Sequence, residues 1–174
     1  TNEEYADSLE QFRPAMAYLP GQILYFHGHL EAARERLMDV IETWPGRDEA
    51  AFAASLIVDS WQDEEDLAKV RMWAGKFARM SLGSSDAAMA KNMDFTNLEE
   101  GAAFKMAALY IEQGLREEAA EAFLSFMNDF PRSEHIKKAH YNAANNFEII
   151  GQVERANSLF RDYIDNIESG KYEA

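Results

Sequence analysis

The chain has 174 residues, of which 47% are hydrophobic, and it carries a net charge of −14 with no cysteine. This length and apolar content predict one folded domain with a sizeable core, and the absence of thiols excludes disulfides and thiolate zinc sites. The negative field disfavours nucleic acid and anionic lipid as partners. The longest apolar run, Phe52–Val58, is too short to insert into a membrane.

The chain begins TNEEY, without a methionine or a signal sequence, so we expect an excised or processed piece. Asn2 is a predicted N-cap for a short first helix, and the acids after it suit the positive end of a helix dipole. Pro14 is expected to end this helix or to start the next one.

Residues near 15–27 and 30–43 are predicted to form a helix pair that reverses at Gly28. We expect Pro20, inside the first of these helices, to delay or kink it. The second helix has apolar residues at three- and four-residue spacing, as an amphipathic helix does. These residues are Ala33, Leu37, Val40 and Ile41.

A second, degenerate helix pair is predicted from residue 48 onward. Its first helix covers residues near 48–61, and the turn QDEED stands where a glycine is expected. Asp63 is the predicted cap of the next helix, which runs to about Met80. The buried face of that helix is predicted to hold Leu67, Val70, Trp73 or Ala74, and Phe77.

The segment LGSS then breaks the helical pattern. Residues 86–99 carry no repeat signature, so we expect a helical spacer there, or a segment that fuses with the following helix. The last two predicted helix pairs are regular: 100–113 with 116–130, and 134–150 with 153–168.

One pattern recurs in segments 14–47 and 100–133: a glycine, an alanine five residues later, and a proline 17 residues after the glycine. The residues are Gly28, Ala33 and Pro45 in the first segment, and Gly114, Ala119 and Pro131 in the second. The final pair keeps Gly151, Ala156 and Phe160 but lacks the proline. Small residues such as Gly21, Ala107 and Ala144 are expected to let paired helices approach closely.

This pattern resembles the tetratricopeptide-repeat family. Its positions are occupied by Ala103, Met106, Ala107, Tyr110, Gly114, Ala119, Phe123, Phe126 and Pro131. The resemblance implies an all-α fold, a right-handed superhelix of antiparallel helix pairs (an α-solenoid), as a single domain over residues 1–174. The implied repeats are about 14–47, 51–82 in degenerate form, 100–133 and 137–170, with the helical spacer at 83–99.

The segment FLSFMNDFPRSEHIKKAHYNAANNFEIIGQVERANSLFRDYI is similar to repeats of bacterial cell-envelope and gliding-motility proteins of this family. That resemblance implies a scaffold in an envelope or motility assembly. We expect a periplasmic or cell-envelope location, with the cytoplasm as the alternative.

No group of residues indicates an enzyme, a metal site or a cofactor. His27 and His29 flank a helix turn and do not complete a metal site, and His135 and His140 are too far apart in sequence to share one helical face. The acids Asp63–Asp66 lack the glycine and spaced ligands of a calcium loop. The chain also has no nucleophile elbow and no phosphate-binding glycine loop.

The predicted site is the concave groove that the first helices of the pairs line. Position 5 of these helices is aromatic in the three regular pairs, and amides and a carboxylate lie nearby. Aromatic rings supply contact area and amides satisfy a peptide backbone; alternatively, the rings pack between adjacent helices. The predicted partner-binding residues are Tyr18, Gln22, Tyr25, Phe26, Asp59, Gln62, Phe104, Tyr141, Asn142 and Asn145.

The predicted function is a non-enzymatic scaffold that binds a protein or peptide partner. The family's carboxylate clamp is not supported, because its only candidates are Lys105, Lys138, Asn142 and Asn145 and the first two helix pairs offer no basic groove residue. A basic or neutral partner fits the negative charge of the chain better. The alternative is a structural spacer in a longer repeat array that self-associates end to end, so a monomer and an end-to-end dimer are both open. The missing final proline and the tail IESGKYEA favour a continued array or a loose end.

Overall fold

A computed structural model describes residues 10–172, and every regular element in that range is an α-helix. The helices between residues 10 and 172 are α1 Arg13–Phe26, α2 Leu30–Thr43, α3 Asp48–Asp63, α4 Leu67–Ala78, α5 Asp86–Glu112, α6 Arg116–Asp129, α7 Ile136–Ile149 and α8 Val153–Glu168. The predicted all-α fold is confirmed, and the short helix expected at Asn2 lies outside the described residues. None of these helices is long and apolar enough to cross a membrane.

The helices fall into two compact units that divide between Glu99 and Glu100. Unit 1 contains α1 to α4 and residues 86–99 of α5, and unit 2 contains the rest of α5 with α6 to α8. Three residues connect the two helices of each pair, for example 27–29 between α1 and α2. Because such short connections make neighbouring helices antiparallel, the predicted helix pairs are confirmed. The single domain over residues 1–174 stays a prediction.

The α1–α2 pair is close-packed because Gly21 has no side chain. A Cβ atom at this position would lie 2.7 Å from Cγ of Leu37, closer than such atoms approach in real proteins. Gly28 reverses the chain between the helices with a φ of 77°. The apolar residues predicted for the buried side of α2 are fully buried: Ala33, Leu37, Val40 and Ile41.

Pro20 does not delay α1, so that part of the expectation is wrong, and a kink at Pro20 stays a prediction. The helix begins at Arg13, with Pro14 in its first turn, and continues through Pro20 to Phe26. A proline in the first turn costs no helical hydrogen bond. Because Met16 and Pro20 are both exposed, water can satisfy the carbonyl of Met16, which position 20 leaves without a donor.

The start of α4 differs from the prediction, because Asp66 and not Asp63 is its cap. Oδ1 of Asp66 accepts a hydrogen bond of 3.0 Å from the backbone N–H of Lys69, and Asp63 is the last residue of α3. The turn has no glycine, so Glu65 adopts a φ of 57°. A non-glycine residue in this left-handed region costs about 1–2 kcal/mol.

The core of unit 1 continues from α4 into α5. On α4 the residues Val70, Ala74 and Phe77 are buried, whereas Leu67 and Trp73 are half-buried, and the helix ends at Ala78 instead of Met80. The ring of Phe77 lies 5.7 Å from that of the buried Phe95 on α5. Residues 86–99 therefore pack as part of unit 1, and the predicted spacer is helical and fused with the helix that follows it.

The LGSS segment between α4 and α5 is held in place by hydrogen bonds. Oδ1 of Asp48 accepts from the backbone N–H groups of Ser84 and Ser85 at 3.0 and 3.1 Å. These bonds stabilise the carboxylate and hold the pKa of Asp48 below its usual value. Leu82 is buried, and its carbonyl accepts from the amide of Asn92 at 2.9 Å.

The core of unit 2 is built from phenylalanines separated by alanines. The ring of Phe104 on α5 meets those of Phe123 and Phe126 on α6 edge-on, at 5.4 and 5.3 Å between centroids. A second cluster contains Ala120, Phe147 and Ala156. The small residues expected at the helix contacts of this unit are buried: Ala107, Ala119, Ala144 and Ala156. Ala103 and Ala143 are buried as well.

The chain after α8 folds back onto unit 2 as far as Tyr172. Of the two alternatives expected from its sequence, the loose end is therefore wrong over these residues, and the continued array stays a prediction. Gly170 reverses the backbone with a φ of 73°, and the Tyr172 side chain is 5% exposed. Its hydroxyl lies 2.9 Å from Nδ1 of His140, which is 2% exposed. The rings of His140, Tyr163 and Tyr172 contact one another at centroid distances of 5.6 to 5.9 Å.

Burial lowers the pKa of His140, while the charge of Asp162 raises it and that of Lys171 lowers it further. His140 therefore binds a proton more tightly in the unfolded chain than in the folded one. Its neutral form stabilises the fold fully above a pH of about 6.5, and this stabilisation is lost as the pH falls through the lowered pKa. We expect the free energy of unfolding in urea to drop between pH 8 and pH 5 more steeply for wild type than for His140→Gln.

The matched control is His27→Gln, which removes an exposed histidine from unit 1 and should follow wild type. Equal pH dependence of wild type and His140→Gln would show that this buried histidine does not govern the response to acid.

Candidate functional site

The predicted site residues of unit 1 lie on the first helices of its two pairs. Tyr18, Gln22 and Tyr25 are half-buried on α1, and Asp59 and Gln62 lie on α3. We call these five residues the A-helix face of unit 1. The amide of Gln22 donates to the hydroxyl of Tyr18 at 3.2 Å, so both side chains are oriented before any partner binds.

A hydrogen bond joins the two helices of this face. The hydroxyl of Tyr25 donates to Oδ2 of Asp63 at 2.9 Å. Burial, this bond and the charges of Asp63 and Asp59 together raise the pKa of Tyr25 to about 12. Asp63 was predicted to cap α4 and was missed as a site residue, although its spacing of four residues from Asp59 places both on one face of α3.

The carboxylate of Asp59, on the A-helix face of unit 1, is partly buried and has a raised pKa. Burial raises the pKa of Asp59, Lys91 lowers it, Asp63 raises it again and a hydrogen bond from Ser55 lowers it. This balance leaves a partly desolvated carboxylate next to a second acid. A cation brought by a partner would stabilise both charges in a medium of reduced dielectric.

Phe26, the remaining predicted site residue on α1, is not part of the A-helix face of unit 1, because it is much more exposed than Tyr18, Gln22 and Tyr25. It is 71% exposed and continues a row of large apolar side chains along α1 that sequence analysis missed, because an exposed row has the same periodicity as a buried one. No acid occurs from Gln11 to Leu30. We call the row the α1 stripe; its members are between 44% and 71% exposed and are Phe12, Met16, Leu19, Ile23 and Phe26.

Phe104 and Tyr141, the aromatic site residues predicted for unit 2, differ in burial. Phe104 is half-buried against the Phe123–Phe126 core, with Nζ of Lys138 5.6 Å from its ring centroid. Tyr141 is 48% exposed, and its ring lies 6.0 Å from that of Tyr163. Tyr141 is therefore the more accessible of the two rings.

The amides predicted for unit 2 lie beside a buried one that sequence analysis did not select. Asn142 and Asn145 are half-buried on α7. Asn146 is fully buried; it donates to the carbonyl of Asn142 at 2.8 Å and accepts from Arg116 at 3.1 Å. Asn146 thus holds α7 against α6, while Asn142 and Asn145 keep part of their surface open.

Within residues 10–172, no three histidine, aspartate or glutamate side chains group as a metal site would require. The site residues described above offer ring surface, amide hydrogen bonds and carboxylate charge.

Comparison with known proteins identifies the repeat. Residues 102–133, which include the end of α5 and all of α6, match the sequence model of the tetratricopeptide repeat. No curated protein matches the chain.

Some solved structures are similar to the chain at low sequence identity. The crystal structure of MamA protein is 14% identical with a TM-score of 0.37, over 96% of this chain and 80% of that one. A crystal structure of the nearly identical TPR-like repeats of a Podosopora anserina putative kinesin light chain is 11% identical with a TM-score of 0.34, over 93% of this chain and 98% of that one. Similarity at this sequence identity and TM-score does not identify a partner of this chain.

The sequence match over 102–133 and the antiparallel helix pairs on both sides of it both indicate a helix-pair repeat. Both support a protein–protein interaction scaffold. Residues 102–133 of the chain form a tetratricopeptide repeat.

Proposed function

We propose that the chain is a non-enzymatic scaffold that binds a basic protein or peptide segment. Binding uses the accessible side chains on the first helices of its helix pairs, above all the A-helix face of unit 1. The observation that carries this proposal is the group formed by Tyr25, Asp63 and Asp59, in which a half-buried ring lies beside two carboxylates. In unit 2, Tyr141, Asn142 and Asn145 supply a second accessible surface of aromatic and amide groups.

Charge and packing support a basic partner. The chain has a net charge of −14, which accelerates association with cations at low salt. Tyr18 and Tyr25 add ring surface that is ordered in the free protein, so binding would cost little side-chain entropy.

The proposal includes a setting in a bacterial envelope or motility assembly, with the cytoplasm as the alternative location. Its support is the similarity of residues 123–164 to repeats of such proteins. Detection of the native protein in the periplasmic or membrane fraction of its source cell would support this setting, and recovery from the cytosol alone would contradict it.

The test of the binding face is the paired change Asp59→Asn and Asp63→Asn. Asparagine keeps the size of each side chain and an acceptor for Tyr25 but removes both charges. We expect capture of the native partner by the immobilised chain to fall at least ten-fold, and capture by wild type to weaken as salt rises. The measurement is quantitative mass spectrometry of the bound fraction.

The matched control is Glu118→Gln with Glu148→Gln, which removes two exposed charges from unit 2 and should retain the partner. If the Asp59/Asp63 variant retains it equally, the A-helix face of unit 1 is not the binding surface.

The second candidate function, an array spacer that self-associates, is favoured by the α1 stripe. Its members follow one another at alternating intervals of four and three residues, the spacing of a coiled-coil seam. The 20-residue segment from Gln11 to Leu30 has no acid. A second copy could therefore pack there without the charge repulsion that the rest of this chain would cause.

Sedimentation equilibrium distinguishes the spacer from the scaffold. The spacer predicts a concentration-dependent dimer that the change Met16→Glu with Ile23→Glu makes monomeric, with little effect on thermal stability because both residues are exposed. A wild-type chain that stays monomeric at high micromolar concentration would exclude self-association through this stripe.

A further inference from the structure

We propose that unit 1 has a second partner site, a groove between α2 and α4, which binds an amphipathic helix carrying a basic stripe. The groove is a cavity of about 670 Å³, and we call it the acidic groove. It uses a side of α3 different from the A-helix face of unit 1, so its failure would leave that proposed function intact. Its lining residues are Glu31, Arg34, Glu35, Met38, Asp39, Ile57, Trp61 and Trp73.

The floor of the acidic groove is apolar and largely preformed. Ile57 is 1% exposed, and Met38, Trp61 and Trp73 are half-buried around it. The volume lies within the range of about 300–1,000 Å³ that is usual for ligand sites. Apolar side chains of a partner would therefore find contact area without a large rearrangement.

One wall of the groove carries three carboxylates in a row. Glu31, Glu35 and Asp39 recur at every fourth residue of α2 and are exposed, which spaces them about 6 Å apart along the helix axis. Within the part of the chain that the structure describes, no lysine, arginine or histidine forms an ion pair with any of them. The row is therefore a negative edge without an ion-pair partner. The floor beside it is apolar, with Nζ of Lys69 and Lys76 at 5.6 and 4.7 Å from the ring centroids of Trp61 and Trp73.

The arginine in the groove does not neutralise this row. Arg34 donates to both carboxylate oxygens of Glu64 at 3.1 and 3.2 Å and to Oγ of Ser60 at 3.1 Å. Its guanidinium carbon also lies 3.7 Å from the ring centroid of Trp61. Arg34 thus packs as part of the wall, and its charge is paired outside the row.

Both tryptophans in the groove have a donor without an acceptor. Nε1 of Trp61 and Nε1 of Trp73 are buried and have no hydrogen-bond partner among the described residues. Each N–H has lost water without compensation in the free protein. Binding that lets either ring turn toward an acceptor on the partner would remove that penalty.

A helix with a basic stripe matches these features better than an extended strand. Lysines or arginines at every fourth position of a partner helix repeat at the same spacing of about 6 Å as the carboxylates. Apolar residues on the adjacent helical stripe would then face the floor, as when an amphipathic helix occupies a groove. No sheet edge is present between residues 10 and 172 to pair with an extended strand.

The probe is a capped peptide of about 18 residues, long enough for measurable helicity. It carries lysines at i, i+4 and i+8 and leucines on the adjacent stripe. Two of the chain's three tryptophans line the groove, so their fluorescence reports occupancy, with calorimetry as the second measurement. We expect saturable binding that weakens at least ten-fold for the triple variant Glu31→Gln, Glu35→Gln and Asp39→Asn.

Two controls separate this site from general charge attraction. The triple variant Glu112→Gln, Glu118→Gln and Glu148→Gln removes the same charge from exposed positions outside the groove and should bind within about three-fold of wild type. A scrambled peptide of the same composition, in which neither stripe forms, should bind at least ten-fold more weakly. Equal loss in both triple variants, equal binding of the scrambled peptide, or no saturable binding would each overturn the proposal.

Discussion

The close approach of paired helices is the constraint on which the other features of this structure depend. Gly21 faces Leu37 with no room for a Cβ atom, and buried alanines occupy comparable contacts in unit 2, among them Ala107 and Ala119. Because these positions are occupied by packing, they are unavailable to a partner. A partner can therefore contact only the side chains between these small residues, and the packed helices hold those side chains in fixed rows.

Much of the fold was predictable from sequence, because helix pairs follow from apolar periodicity and from glycines at reversals. The buried face of α2 matched the prediction for this reason, and the repeat positions Phe123 and Phe126 are buried in unit 2. The cap of α4 did not, because the turn has no glycine and Glu65 takes the left-handed conformation one residue before Asp66. The docked Tyr172 also lacks a local signal, since its partner His140 is 32 residues away.

The candidate sites were less predictable, because periodicity does not say what covers an apolar row. Of the α1 stripe, only Phe26 was predicted as a site residue, and the whole row is exposed in the structure. Asp63 was predicted as a helix cap and not as a site residue, and Glu31 was not selected at all. Only tertiary packing places Asp63 against Tyr25 and sets Glu31 at the edge of a cavity beside Trp61. The physical picture is a scaffold with charge on two faces of unit 1 and an uncharged apolar row on α1.

The central claim is that close helix packing fixes these faces, and Gly21→Ala compared with Gly101→Ala tests it most directly. Both glycines lie inside helices, but a Cβ atom at Gly101 has no atom within 4 Å, whereas at Gly21 it meets buried Leu37. In urea unfolding of the full chain, Gly101→Ala should stabilise by about 0.5–1 kcal/mol. Gly21→Ala should destabilise by about 1–3 kcal/mol, because it overpacks the contact. Equal stabilisation by both changes would contradict the account.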